Sequence, residues 1–274
     1  MRYIDNQTCQ PPTVRHLNVL FDRHSKVVAL FDVEQRKKFL SNKNSWTLLA
    51  DYLGQLSHGK CWYCEAKLRR TPYDVDHFRP KKNVTVDRVA LGKHEGYYWL
   101  AYNWKNFRLS CVHCNRLNKS EIAGKFGKGN EFAIRNEKYR ARHPDDKIAL
   151  EEPKFLDPCV EQDTKLLAHL VNGEVHPASK KDSDPWSFER ARYTIETLGF
   201  NRPSSPGEAE SPVEHKLKQW ADIKLLIEAA ELTSNLTEVQ NSLKEKFEDK
   251  AEYSCYFRAA ISTYRTKHWV AAVL

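Results

Sequence analysis

No run in this 274-residue chain approaches the roughly eighteen apolar residues that a membrane-crossing helix needs, and the opening "MRYIDNQTCQPP" shows no apolar stretch behind a charged start. A helical span and a secretory leader are therefore not expected, and the chain reads as cytoplasmic. Internal repeats are missing, which sets aside solenoids and propellers. The second histidine of an HExxH pair is absent from "HEGYYWLAYNW", so His94 and Glu95 do not read as a zinc-protease pair. An even set of cysteines is lacking too. Seven, an odd number, argue in a cytoplasmic chain for metal ligation or free thiols rather than a disulfide framework.

What is present is an ordinary apolar content of 41% and a net charge of +8 that is concentrated in one place. Between Gly59 and Lys125, 14 Lys and Arg face 6 Asp and Glu, and the rest of the chain is balanced. Such a segment suits a polyanion, because counterions released from phosphates drive binding. Around it the periodicity is mostly helical. Trp46, Leu49, Leu53 and Leu56 follow a cap-like Asn44/Ser45, and Phe188, Ala191, Ile195 and Leu198 share a face between Ser187 and a stopping Gly199. Val213, Leu217, Trp220, Ile223 and Ile227 mark another amphipathic helix, and the last 35 residues read as helical. Residues from Phe126 to Glu152 read as loop-rich, Asn172-Gly173 as a hairpin turn, and "NRPSSPGEAESP" as a linker. The aromatics Tyr97, Tyr98, Trp99, Tyr102 and Trp104 are expected to form a packed helix.

The basic segment holds two CxxC pairs, Cys61/Cys64 in "KCWYCE" and Cys111/Cys114 in "SCVHCN". Four thiolates in two knuckles close a tetrahedral Zn²⁺ site with no open position, so this metal is structural. Cys9, Cys159 and Cys255 read as small apolar residues. Joining the knuckles brings Asp76 and His77, in "DVDHFRPKK", near "CNRLNKS". A carboxylate and an amide oxygen are hard ligands suited to Mg²⁺ or Mn²⁺, and an adjacent imidazole can take a proton from an attacking water. Arg79, Lys81 and Lys82, with Arg116 and Lys119 on a helix expected after the second knuckle, are candidates to hold nucleic-acid phosphates.

The order CxxC, "DVDH", "NFRLSCVHCNRLNKS" resembles the HNH endonucleases, whose motif runs DH, then N-[L/F]-x-x-x-C-x-x-C-[H/N]-x-x-x-K. Further blocks, "CWYCE", "GYYWLAYNWKNFRLSC", "FLDP" and "TIETLGFNRP", are similar to the HNH family that includes the PtuB-type nucleases of Septu and retron-associated antiphage systems. The resemblance covers residues 45 to 203. It implies an α+β protein with a ββα-metal core and zinc knuckle, flanked by helical regions. It also implies that His77 is the general base, Asp76 a ligand of the catalytic metal, Asn106 the brace of the loop carrying the base, and Asn115, or nearby Asn118, the other ligand. The expected organisation is 1–58 helical, 59–125 nuclease core, 126–203 a family-specific extension and 204–274 helical. The expected activity is metal-dependent hydrolysis of nucleic acid, DNA by default, beside an ABC-type, PtuA-like ATPase partner. RNA, including tRNA, is the alternative substrate, and a non-catalytic zinc-dependent nucleic-acid-binding module is the competing class.

Overall fold

The computed structural model describes residues 1–6, 9–67, 73–92, 94–120, 122, 124–204, 211–233 and 236–273. The chain opens with α1 (Val14–Val28), whose first turn is closed by the Thr13 hydroxyl accepting from the His16 amide. It continues into α2 (Val33–Asn42), closed likewise by Asp32 through the Gln35 amide at 2.7 Å. A 3₁₀ turn over Ser45–Leu49 runs directly into α3 (Ala50–Leu56), and it buries Trp46, Leu49 and Leu53 as their spacing predicts.

The middle of the chain is built from short strands: β1 (Asp74–His77), β2 (Thr85–Val86), β3 (Val89–Ala90) and β4 (Phe107–Ser110). The one-turn α4 (Val112–Asn115) follows, then β5 (Asn118–Ser120) and β6 (Gly124–Phe126). After the short α5 (Glu161–Thr164), β7 (Leu167–His169) and β8 (Val175–Pro177) form the hairpin expected at Asn172-Gly173, where Gly173 takes the positive φ of 82° that the turn demands. Among the described residues the strands make four two-stranded antiparallel sheets, β1–β4, β2–β3, β5–β6 and β7–β8. The molecule is therefore mixed helix and small antiparallel strands, as the α+β expectation has it.

Three local expectations need correction. The aromatic run forms two 3₁₀ turns, Tyr98–Leu100 and Trp104–Asn106, rather than one helix; four of its five rings are buried all the same. No helix extends past the second knuckle, because α4 ends at Asn115, so Arg116 follows the helix and Lys119 lies on strand β5. The helix α6 (Pro185–Leu198) begins before Ser187: Asp184 accepts from the Ser187 amide at 3.1 Å and Pro185 sits in the first turn, where its missing N–H costs nothing. Its stop, Gly199 in the left-handed region, is as expected.

Two apolar cores result. The first gathers α1 to α3, β1, β4, the aromatic turns, Phe132, Phe155 and the inner face of α6. The second belongs to α7 (Pro212–Thr233), α8 (Leu236–Phe247), α9 (Ser254–Ser262) and α10 (His268–Ala271), around Ile227, Leu243, Phe257 and Ile261. Within the linker between them, residues 205–210 lie outside the described residues. Polar bonds join the two bodies: Ser254 Oγ donates to Glu65 (2.9 Å), the Lys60 ammonium to the Ala251 carbonyl (2.8 Å), the Lys216 ammonium to the Gly173 carbonyl (2.6 Å) and Tyr256 to the Val171 carbonyl (3.0 Å). The C-terminal helices thus rest on the first knuckle and on the β7–β8 hairpin.

Candidate active site and metal centre

The knuckle is assembled from backbone turns. The Cys61 amide bonds to the Ala66 carbonyl and the Glu65 amide to the Cys61 carbonyl, each at 3.0 Å, with Glu65 in the left-handed region, so the first CxxC folds back on itself. Cys111 stands before α4, and its sulfur accepts from the Cys114 amide at 3.4 Å. One ligand atom from each of Cys61, Cys64, Cys111 and Cys114 lies within 4.8 Å of the others. The Cys64 and Cys111 sulfurs are 3.8 Å apart, close to the edge of roughly 3.8 Å that follows from tetrahedral Zn–S bonds of about 2.3 Å. The four-sulfur set is compatible with structural zinc. His113, between the last two ligands, is exposed and is not in the cluster.

The knuckle places β1 beside α4, and β1 pairs with β4 so that Asp74 faces Ser110, Asp76 faces Arg108 and His77 faces Phe107. His77 is 3% exposed and is held edge-on by the rings of Trp46 and Phe107, with centroids at 4.9 and 5.1 Å. Its Nε2 lies 2.9 Å from the Ala101 carbonyl, which can only accept. Nε2 therefore carries the proton and Nδ1 keeps its lone pair. That lone pair meets the Lys81 amine at 3.2 Å. Burial, with Lys81 and Lys128 adding to it, holds the imidazole well below the usual histidine range, so it is neutral at neutral pH. Burial also pushes Lys81 down to about 8, its amine lying 4.4 Å from the centre of the Trp46 ring.

Asp76 is 4% exposed, and both of its oxygens are engaged: the Tyr63 hydroxyl donates to Oδ2 at 2.6 Å and the Lys128 ammonium to Oδ1 at 3.0 Å. Lys128 also donates to the His77 carbonyl at 2.7 Å. Asn115, the other expected ligand, gives its amide to Asp74 at 2.9 Å, and Arg116 grips the same carboxylate with two bonds of 2.8 Å. Asn118 turns back to the His113 and Arg116 carbonyls. As folded, the donors expected to share a divalent cation are bonded to different partners, and an ammonium sits on Asp76. A divalent ion does not fit there while Lys128 is in place.

Asn106 bonds to the backbone that follows His77. Its Oδ1 accepts from the Arg79 amide at 2.9 Å and its Nδ2 donates to the Arg79 carbonyl at 3.0 Å, pinning the chain two residues beyond His77. The expected phosphate contacts are dispersed. Arg79 turns inward to Glu151 at 2.8 Å, Lys81 covers His77, Lys82 donates to Ser41 at 2.7 Å, Arg116 is neutralised by Asp74, and Lys119 is exposed on β5.

Sequence reasoning did not single out Lys128, Tyr63 or Asp74 for this site. For Lys128 a signal existed: it stands between two glycines in "KFGKGNEF". A Cβ on Gly127, whose φ is +88°, would lie 1.9 Å from the Arg116 carbonyl oxygen, so only glycine permits this approach to the second knuckle.

Over 132 residues, 47% of this chain, the sequence is 36% identical to the Septu protein PtuB of Bacillus mycoides (strain KBAB4), and the match covers 41% of that protein. It is 24% identical over 156 residues, 57% of the chain, to the Septu protein PtuA of the same strain, covering 19% of that protein. The chain thus spans less than half the length of each of these relatives. No family model matches it. No helix of the described residues is long and apolar enough to cross a membrane.

Proposed function

Taking the chain as a relative of the Septu protein PtuB, we propose that it is an HNH-type endonuclease that hydrolyses internal phosphodiester bonds of nucleic acid, with DNA as the default substrate. It would act in the cytoplasm as the nuclease effector of an antiphage defence system, beside a PtuA-like ATPase. The observation that carries this reading is His77: a neutral imidazole, fixed through Nε2 by a backbone carbonyl, offering Nδ1 beside a lysine at the end of a strand that a cysteine cluster holds in place. An imidazole so oriented accepts a proton from a water attacking phosphorus. Lys81 is placed to leave Nδ1 for a phosphate oxygen as substrate enters, which uncovers the base as the anion arrives.

A second reading, a non-catalytic zinc-dependent module that docks nucleic acid, is favoured by the saturation of Asp76. The two are separated by incubating wild type and His77→Ala with plasmid, single-stranded DNA and tRNA, with Mg²⁺, Mn²⁺ or EDTA. Cleavage by wild type, reduced by about two orders of magnitude or more in His77→Ala with zinc content unchanged, supports the nuclease. Binding without cleavage under every condition overturns it, and cleavage confined to tRNA changes the substrate.

A further inference from the structure

We propose that Lys128 is an internal cation that holds the Asp76 carboxylate in exclusive competition with a divalent ion, so that the site is gated by withdrawal of this lysine. The inference rests on the reading of Asp76 as the acid of the active site.

The side chain of Lys128 is fully buried, and its ammonium bonds to Asp76 Oδ1 and to the His77 carbonyl, the two residues that carry the proposed chemistry. Its route to that place is built by the backbone. The Lys128 amide donates to the Cys114 carbonyl and the Gly129 amide to the Asn115 carbonyl, both at 2.7 Å. These bonds dock the Gly127–Gly129 segment on α4, the element that carries Asn115. From there the side chain crosses to β1 and ends on Asp76. It therefore ties the segment docked on the element of one expected ligand to the carboxylate of the other.

A buried carboxylate needs one neutralising partner, and a lysine supplies it fully. Seating a second cation on that oxygen beside the ammonium is unfavourable. A divalent ion bound to Oδ1 would stand within about 3 to 4 Å of the ammonium, and repulsion between +2 and +1 at that range in a partly desolvated site costs several kcal/mol. Tyr63 holds the other oxygen and carries no charge to give up, so Lys128 is the group that must move. The flanking glycines make such a movement feasible: both have positive φ, and no side chain of their own hinders a change of backbone angle. A purely structural lysine predicts the opposite behaviour, in which its removal weakens every property of the site together.

The test uses full-length, zinc-loaded protein and reads Mn²⁺ binding by the electron paramagnetic resonance signal of free Mn²⁺. Lys128→Met and Lys128→Gln, the second keeping a neutral donor for Asp76, should bind Mn²⁺ at least roughly tenfold more tightly than wild type, as expected when one unit charge is removed from the site. Lys128→Arg should stay at the wild-type level, and Asp76→Asn in the Lys128→Met background should abolish the gain. An unchanged or weaker affinity in both neutral variants, or a gain that survives Asp76→Asn, overturns the proposal. A second measurement needs no variant: in wild type, saturating Mn²⁺ should raise acetylation of Lys128 by an N-hydroxysuccinimide ester, read by peptide mass spectrometry, and no change overturns it. Neither readout involves cleavage, so a protein that cuts nothing still decides the matter.

Discussion

The two bodies of this molecule bury different things. The body that holds the knuckle encloses charge: Asp76 with Lys128, Arg108 with Asp157 at 2.6 Å, and Arg79 with Glu151 at 2.8 Å lie among its aromatic rings. The C-terminal helices enclose mostly hydrocarbon, with Ile227, Phe257, Ala260 and Ile261 at 0% exposure. Buried ion pairs add little net stability compared with a packed apolar core, since desolvation offsets their attraction. A body that keeps several of them is shaped by what it must position, and its neighbour by the need to stay folded.

Loss of the four-cysteine centre offers the largest test of that contrast. Structural zinc supplies on the order of 10 kcal/mol to a small fold, so chelation or Cys114→Ser should abolish hydrogen-exchange protection in β1, β4 and α4. Protection in α9 should outlast it, because those amides depend on an apolar core of their own. Loss of both in one step would merge the two bodies into a single cooperative unit. An intermediate effect is expected from Ile227→Ala, at about 2–4 kcal/mol of lost stability from the cavity. The loss should be confined to α7–α9, with hydrogen-exchange protection in β1 and β4 unchanged.

The subtlest effect lies at the junction. Lys216 is 3% exposed, and burial pushes it down to about 8, while the unfolded chain keeps an ordinary lysine. With the folded value depressed, the unfolded state binds more protons between pH 8 and about 10.5, so the penalty of burying the ammonium is present below pH 8 and fades as pH rises. Relative to Lys216→Met, wild type should therefore gain stability across that window, by at most ~3 kcal/mol. Parallel denaturant titrations at pH 7.5 and 10 measure it, and a wild type that gains nothing on Lys216→Met between the two removes the buried cation from the account.

Much of this organisation was legible in the chain. The four cysteines announced themselves by spacing, α3, α6 and α7 by apolar periodicity, and the β7–β8 hairpin by Asn172-Gly173, because each of these signals is local. Asn106 was singled out through the HNH resemblance, and in the structure its side chain bonds to the Arg79 backbone. What escaped was non-local. Lys128 meets Asp76 across 52 positions, and no pattern near either residue encodes the meeting. The start of α6 was legible but misjudged: Asp184-Pro185 is a stronger opening signal than Ser187. Leu217 faces outward at 38% exposure, which helical spacing alone could not reveal.

Asn106 has one more consequence. A hairpin ordinarily fixes the alignment of its strands through the turn that joins them, but β1 and β4 are joined by all the chain between His77 and Phe107, too long to set any register. The Phe78 amide bonds to the Asn106 carbonyl at 2.8 Å, and the Asn106 side chain then imitates a peptide group against Arg79. The ladder is thereby extended and closed by one amide side chain. A slip of a single residue would exchange the faces on which Asp76 and His77 stand, and it would have to break this clasp first. Asn106 does for two distant strands what a tight turn does for neighbouring ones.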